Sequence, residues 1–255
     1  MLLAVDIGNT ETTLGVFESE KLRAAWHIAT DINRTADEVA TLLISLLDNK
    51  GLQTSNIGEV SFCSVVPPLT AIFEEAVRGY FGISPLVVAA GIKTGVRICM
   101  DNPKEVGPDR IVNAAAARHL YSGPLIIVDL GTATTFDTVS ENGDYMGGAI
   151  APGIVTAAEA MFHKAAMLPR VELKLPERVV GTNTIDAMKS GIIFGYVGLV
   201  EGMVARIKRE LGVRMKTIAT GGYAQLIANE TKVIDEVCPN LTLVGLRLIF
   251  RMNKS

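Results

Sequence analysis

One short pattern occurs twice in the chain: an apolar, strand-like run that ends in Asp-x-Gly and is followed by a hydroxyl residue. Residues 3–10 read LAVDIGNT and residues 126–132 read IIVDLGT. Glycine lets the backbone bend close to a ligand, and backbone N–H groups in such a turn can bind an anion. A carboxylate at a strand end suits Mg²⁺, which keeps several waters and takes few protein ligands beside phosphates. One copy alone is ordinary turn chemistry, but two copies predict a duplicated chain with two phosphate-binding turns.

The residues after each turn predict the same order of elements. Strand-like residues 13–17 and 22–28 flank a turn at 18–20, and residues 135–140 and 145–150 flank Asn142-Gly143, a type I′ hairpin signal. Each half therefore opens with a three-stranded meander. The other predicted elements are a helix from Thr35, a strand at 60–66, a helix ending near Tyr80, a strand at 86–89, helices at 155–166 and 184–211, and strands at 216–220 and 241–244. This order predicts an α/β fold with a mixed sheet in each of two lobes, residues 1–117 and 118–255.

Composition excludes several classes of protein. Of the 255 residues, 49% are hydrophobic and 20% charged, which indicates a folded rather than a disordered chain. The net charge is −3 without a basic stripe, so no nucleic-acid partner is predicted. Uncharged stretches at 60–73 and 145–158 are too short to span a membrane, so no membrane is predicted either. Three scattered cysteines and the lack of a signal-peptide pattern favour a reducing cytoplasm.

A third glycine-containing turn follows the strand predicted at 216–220. Gly221-Gly222 on its own is best interpreted as a strand-to-helix turn. After two Asp-x-Gly hairpins, however, the series resembles the acetate and sugar kinase, Hsp70 and actin superfamily. The resemblance implies two duplicated actin-like (ribonuclease H-like) lobes with a nucleotide in the cleft, the base lying near Gly221 and Gly222.

Residues 101–114, which read DNPKEVGPDRIVNA, narrow the family. Together with GGAIAPG at 147–153 and GTNT at 181–184, they resemble type III pantothenate kinases over nearly the whole chain. The resemblance implies ATP-dependent phosphorylation of pantothenate, the first step of coenzyme A biosynthesis, by a cytoplasmic homodimer. Two residues depart from the family pattern: Met100 stands where many relatives have an aromatic residue, and Pro108 where a small residue is common.

The resemblance also implies roles for individual residues. Asp109 is the expected proton acceptor, Asp129 the ligand of a monovalent cation (K⁺ or NH₄⁺), and Asp6 the carboxylate for the Mg²⁺ that accompanies ATP. Expected ATP contacts are Asp6, Ile7, Gly8, Asn9, Thr10, Glu11, Thr12, Thr13, Thr132, Gly221 and Gly222, and expected pantothenate contacts are Gly107, Pro108, Asp109, Arg110 and Thr184.

Several alternatives stay open at this level. Without the resemblance, Asp109 and Arg110 are more readily a surface ion pair at a helix start. Gly191, Gly195, Gly198 and Gly202 line one face of the helix predicted at 184–211, and this face could pack within the subunit or against a second copy. Another small-molecule kinase or a nucleotide-dependent regulatory protein would share the fold. The three histidines have no metal-ligand spacing, and no chemistry is assigned to Cys99.

Overall fold

The computed structural model describes residues 1–254, which form two compact units. The first contains Met1–Val96, Asp101–Leu120 and the chain from Leu241 onward; the second contains Arg97–Met100 and Tyr121–Asn240. Each unit is built on a five-stranded sheet. The predicted α/β fold with a mixed sheet in each half is confirmed.

The described residues form ten strands and seven helices, with short 3₁₀ turns at Thr54–Asn56 and Pro103–Glu105. The strands are β1 (Leu2–Ile7), β2 (Glu11–Glu18), β3 (Lys21–Ala29), β4 (Glu59–Ser64), β5 (Leu86–Val87), β6 (Leu125–Leu130), β7 (Ala133–Val139), β8 (Tyr145–Pro152), β9 (Lys216–Thr220) and β10 (Glu236–Val237). The helices are α1 (Ala36–Asp48), α2 (Pro67–Phe81), α3 (Pro108–Leu120), α4 (Ile154–Lys164), α5 (Thr184–Leu211), α6 (Ala224–Ala228) and α7 (Leu241–Asn253).

The two sheets have the same topology. Their strand orders are β3-β2-β1-β4-β5 and β8-β7-β6-β9-β10. In each sheet the first three strands form an antiparallel meander, and a fourth strand then pairs in parallel with the first. Since β1 corresponds to β6 and β4 to β9, the duplication read from the sequence extends to strand pairing.

Alternation along β1 decides which side of the sheet carries Asp6. Leu3, Val5 and Ile7 enter the core shared with α1 and α2, so Leu2, Ala4 and Asp6 point to the opposite face. That opposite face is covered by α3 and α7, whose buried side chains pack against Leu2 and Ala4. Asp6 is therefore on the face of the sheet where the helix that carries Asp109 packs.

The strand predicted at 241–244 is wrong: these residues begin helix α7. Leu241, Leu243 and Val244 look strand-like in a short window, but buried residues continue at helical spacing to Leu246 and Ile249. The helix lies close to α3, because a Cβ on Gly245 would stand 2.2 Å from the Val112 carbonyl oxygen. As α7 packs in the first unit, the units differ from the division at 117/118, which places it with the second half.

Two local signals can be compared with the backbone. The helix signal at Thr35 is confirmed as a capping box, since Glu38 N–H donates to Thr35 Oγ1 at 3.3 Å and Thr35 N–H donates to the Glu38 carboxylate at 2.8 Å. The hairpin at Asn142-Gly143 is confirmed, but its type I′ turn is not. Gly143 has a φ of 82°, whereas Asn142 is not in the left-handed region. The loop is instead a turn closed by Gly143 N–H donating to Ser140 O at 2.9 Å.

Helix α5 is long and apolar enough that length and composition alone would permit a membrane span. One of its faces, however, packs in the core of the second unit, where Ile193, Val200 and Val204 are buried. This burial is typical of the core helix of a globular unit.

Candidate active site

The first Asp-x-Gly turn joins β1 to β2 through residues 8–10. Gly8 N–H donates to the Glu11 carbonyl oxygen at 3.0 Å, and a Cβ on Gly8 would stand 2.7 Å from that same oxygen. Only glycine therefore allows the turn to close this tightly. Gly8 is half-buried, whereas Asn9 and Thr10 at the tip are exposed, which leaves the backbone of the tip accessible to a phosphate group.

Thr12 and Thr13, both predicted to contact ATP, occupy different surroundings. Thr12 is 2% exposed and its Oγ1 lies 2.8 Å from Thr30 Oγ1, which in turn donates to the Gly8 carbonyl oxygen at 2.8 Å. The Thr12 side chain thus supports the turn from within. Thr13 Oγ1 lies 3.3 Å from His27 Nδ1, which also lies 2.9 Å from Glu11 Oε1 on the exposed side of the hairpin. Sequence reasoning missed Thr30, because its link to Gly8 depends on the pairing of β2 with β3.

Asp109 lies at the start of α3, in a conformation that depends on glycine. A Cβ on Gly107 would stand only 2.5 Å from Asp109 Oδ1, so the carboxylate folds back over residue 107. The Gly107 carbonyl oxygen accepts from the N–H groups of Arg110 and Ile111, which starts the helix. Asp109 Oδ1 is buried, so Asp109 is not a simple surface charge.

Cys63 donates a hydrogen bond to Asp6 and lies within reach of the charge of Asp109. In the parallel pairing of β1 with β4, Cys63 stands opposite Asp6, and its Sγ donates to Asp6 Oδ1 at 3.3 Å. Complete burial, and then the negative charges of Asp6 and Asp109, raise the pKa of the Cys63 thiol well above its usual range. The thiol therefore remains protonated, and within the first unit the structure brings together the two carboxylates expected to serve Mg²⁺ and the proton transfer.

The helix that carries Asp109 and Arg110 is fixed on its inner side. Asn113 is 1% exposed, and its Oδ1 accepts from Thr242 Oγ1 of α7 at 2.8 Å. The close approach of Gly245 to α3 holds the same helix pair together. The base of the Asp109 turn is therefore held against α7, as the positioning of a catalytic group requires.

The second Asp-x-Gly turn, in the second unit, joins β6 to β7. Gly131 N–H donates to Ala133 O at 3.1 Å, and the Thr132 carbonyl oxygen accepts from Gly153 N–H at 3.1 Å and Thr156 Oγ1 at 2.8 Å. A Cβ on Gly153 would stand 2.3 Å from the carbonyl oxygens of residues 131 and 132. The start of α4 thus packs directly on this turn, a contact that gives the GGAIAPG segment a physical role.

The Gly221-Gly222 turn packs on the same carboxylate. Gly221 has a φ of 92°, and a Cβ there would stand 2.7 Å from both Asp129 Oδ1 and the Leu130 carbonyl oxygen. Among the described residues, 1–254, nothing lies within 4 Å of the corresponding position on Gly222. Asp129, Thr132, Gly221 and Gly222, four of the predicted residues, therefore lie close together in the second unit.

Thr184 is exposed at the first position of α5. The helix is capped by Asn183, whose Oδ1 accepts from Asp186 N–H at 2.9 Å. Gly181 permits a tight loop before the cap, because a Cβ on it would stand 2.3 Å from Ala187 N. The GTNT segment thus places the Thr184 hydroxyl on a defined, accessible helix start.

The acidic residues of the turns suit metal ions that share ligands with a substrate. Among residues 1–254 no group of three or more His, Cys, Asp or Glu side chains is placed to hold a metal alone. Mg²⁺ does not need such a group when phosphates and water supply most of its ligands, so Asp6 suits it. Asp129, with the Leu130 carbonyl oxygen beside Gly221, offers the oxygen donors that a monovalent cation takes.

Comparisons with known proteins show one family over most of the chain. The family model of type III pantothenate kinase matches residues 2–206. A type III pantothenate kinase of Dehalococcoides mccartyi is 58% identical over 254 residues, which cover 100% of this chain and 98% of the relative.

Two solved structures show the same fold at low identity. A conserved Baf-family protein of Campylobacter jejuni aligns with a TM-score of 0.61 and 20% identity, over 98% of each chain. A polyphosphate/ATP-glucomannokinase of Arthrobacter sp. strain KM aligns with a TM-score of 0.52 and 12% identity, over 99% of each chain. The chain thus shares the fold of these two structures. By the family match and the 58% identical relative, the chain belongs to the type III pantothenate kinase family.

Proposed function

We propose that this chain transfers the γ-phosphoryl group of ATP to the primary hydroxyl of pantothenate, the first step of coenzyme A biosynthesis. One observation carries the proposal: the buried thiol of Cys63 donates to Asp6 and lies within reach of the charge of Asp109, although the two carboxylates are far apart in sequence. A carboxylate at a phosphate turn therefore stands near the carboxylate of the substrate-signature helix. Membership of the family supports pantothenate as the acceptor.

The reaction requires a proton acceptor and a group that holds the substrates in place. As the hydroxyl oxygen of pantothenate bonds to the γ-phosphorus, the bond from that phosphorus to the bridging oxygen of ADP breaks. The proton of the hydroxyl passes to the carboxylate of Asp109, which acts as general base. Gly107 allows the carboxylate to fold back at the start of α3, and Arg110 supplies a guanidinium that can hold a carboxylate or phosphate through two hydrogen bonds.

The turns supply the phosphate contacts. The exposed backbone at Asn9 and Thr10, and the Thr132 turn of the second unit, would donate to phosphate oxygens. Asp6 would hold Mg²⁺ through its water shell; when bound, the ion neutralises charge on the phosphates of ATP. The Gly221-Gly222 backbone would lie against the nucleoside.

A monovalent cation, K⁺ or NH₄⁺, is part of the proposal. Its ligand would be Asp129, whose carboxylate lies against Gly221 and near the Leu130 carbonyl oxygen. Oxygen donors of this kind suit a large monovalent ion, and the cation would offset negative charge beside the ATP-binding turn.

We also infer that the active form is a homodimer. Gly191, Gly195 and Gly198 are exposed, and a Cβ on any of them would meet nothing within 4 Å. This face of α5 therefore does not pack within its own unit, although four helical glycines cost about 1 kcal/mol each relative to alanine. A second copy of the chain would cover it, near the exposed Thr184 at the start of the same helix.

A matched pair of variants tests the dimer. Gly195→Leu should shift the protein toward monomer in analytical ultracentrifugation and weaken pantothenate binding. Gly79→Leu, at an equally open glycine in α2, should leave association unchanged. An active protein that remains monomeric at assay concentrations would contradict the dimer.

The activity is tested by measuring ADP formation in a coupled assay with pantothenate, with glucose and with no acceptor. We expect ADP formation to depend on pantothenate, and mass spectrometry to show the addition of one phosphoryl group to it. Turnover with a different alcohol alone would indicate another small-molecule kinase. Nucleotide binding without any turnover would favour a regulatory protein.

A further inference from the structure

We propose that Cys63 is a positioning residue, whose thiol holds the carboxylate of Asp6 in its working orientation beside Asp109. This inference rests on the proposed function for its consequence in catalysis. The contact itself rests on geometry: Sγ of Cys63 lies 3.3 Å from Asp6 Oδ1, and Cys63 is 0% exposed.

The contact follows from strand pairing. β1 and β4 are parallel neighbours in register, so residues 6 and 63 stand side by side and project from the same face of the sheet. Apart from the hydroxyl of Ser61, the neighbours of Cys63 on this face are apolar, and Leu2, Ala4 and Val112 pack in the same cluster as Cys63. Because Cys63 is fully buried, its S–H group has no water to donate to, and the Asp6 carboxylate is the acceptor that it meets.

A thiol suits this position for two reasons. Its sulfur fills a buried volume between the strand and α3 as a small apolar group would, and its S–H is a weak donor that orients the carboxylate. Because Asp109 lies close enough for its charge to act on the same thiol, the sulfur also occupies the space near both carboxylates. Removing the sulfur would take away this donor to Asp6 and leave a cavity in the layer beneath the general base.

The first experiment observes the hydrogen bond without using activity. In a Cys99→Ser/Cys238→Ser background Cys63 is the sole thiol, so its S–H stretching band can be read by infrared spectroscopy. We expect a band lowered by hydrogen bonding, which moves to higher frequency in Asp6→Ala. A band that is the same with and without the Asp6 carboxylate would overturn the proposal.

The second experiment measures the consequence for Mg²⁺. Cys63→Ala should raise the Mg²⁺ concentration for half-maximal rate by about three- to tenfold, the range for one ordinary hydrogen bond, because a thiol is a weak donor even to a carboxylate. Cys63→Ser, which keeps a donor, should restore most of this loss. Ser61→Ala is the matched control, because Ser61 is a fully buried polar residue on the same strand and face but stands opposite Ala4.

The outcomes separate this inference from the proposed function. Equal Mg²⁺ dependence in wild type, Cys63→Ala and Cys63→Ser would overturn the positioning role, and so would an equal shift in Ser61→Ala. If wild type failed to phosphorylate pantothenate, the proposed function would fail, whereas the infrared band and calorimetric binding of Mg²⁺-ADP would still decide the role of Cys63. If Cys63→Ala does not fold, the infrared band of the wild-type thiol and the binding of Mg²⁺-ADP by Cys63→Ser decide the role instead.

Discussion

The two Asp-x-Gly hairpins share one topology but differ in what stands beside the carboxylate. Asp6 faces Cys63 across β1 and β4, and Asp129 faces Thr220 at the equivalent place across β6 and β9. In the first unit the thiol donates to the carboxylate; in the second, the backbone of Gly221 lies against it. Duplication therefore provides two similar frames, and the parallel strand that arrives by crossover gives each its own chemistry.

The largest loss of activity is expected from a change to Asp109, in the first unit. Asp109→Asn keeps the shape of the side chain but removes the proton acceptor, so turnover should fall by about 100-fold or more. The rate of ADP formation at saturating ATP and pantothenate measures this, with thermal unfolding to show that the fold is kept. Asp48→Asn, at the exposed end of α1, serves as a control that should retain full activity. Near wild-type turnover in Asp109→Asn would remove Asp109 from the proton transfer.

Much of the fold, including the meander that the two units share, could be predicted from the sequence. Both meanders, α1 with its capping box and the full extent of α5 follow from alternation, helical periodicity and Thr35-x-x-Glu38. These signals are local, and each was consistent with the fold around it.

The features that distinguish the two units could not be predicted from the sequence. Cys63 gives no local signal, because its contact with Asp6 exists only once β4 pairs in parallel with β1. The strand predicted at 241–244 was wrong because four residues are too few to distinguish the two-residue period of a strand from the 3.6-residue period of a helix. The full run to Asn253 is helical. The hydrogen bond of Thr12 likewise depends on Thr30, which directly follows β3.

The second prediction concerns Asp129, in the second unit. If Asp129 holds a monovalent cation, replacing Na⁺ by K⁺ or NH₄⁺ should raise the rate, and Asp129→Ala should remove that response. Loss of a metal ligand should cost about tenfold or more in cation affinity. Initial rates across a series of chloride salts at constant ionic strength measure it. Equal rates of the wild-type protein in all three salts would exclude the cation from the mechanism.

The third prediction compares substitutions at two neighbouring glycines of the second unit. Gly221→Ala forces a Cβ to within 2.7 Å of Asp129 Oδ1 at a φ of 92°, so it should cost about 1–3 kcal/mol and weaken nucleotide binding. Gly222→Ala has open space and should be tolerated in the folded protein. Thermal unfolding and ADP calorimetry on both variants measure the difference. Equal behaviour of the two variants would contradict the close packing of Gly221 on Asp129.

The smallest effect is expected at the buried threonines that lie beneath the two Asp-x-Gly turns. Thr12 and Thr134 hold equivalent positions, opposite Ile7 and Leu130, and both are buried. Since Thr30 spends its single hydroxyl proton on the Gly8 carbonyl oxygen, Thr12 must donate to Thr30, and Thr12→Val removes that bond. The midpoint of thermal unfolding should fall by about 2–4 °C, which corresponds to about 1 kcal/mol.

Thr134→Val should behave differently. Within residues 1–254, Thr134 Oγ1 is buried and has no hydrogen-bond partner, so valine of the same shape removes a desolvated hydroxyl without breaking a bond. Its unfolding midpoint should stay unchanged or rise. Because the two substitutions are chemically identical, the difference between them isolates the Thr12–Thr30–Gly8 link. A matching loss in both variants would show that the second turn contains a supporting bond of its own, and that the two frames are more alike than their flanking residues suggest.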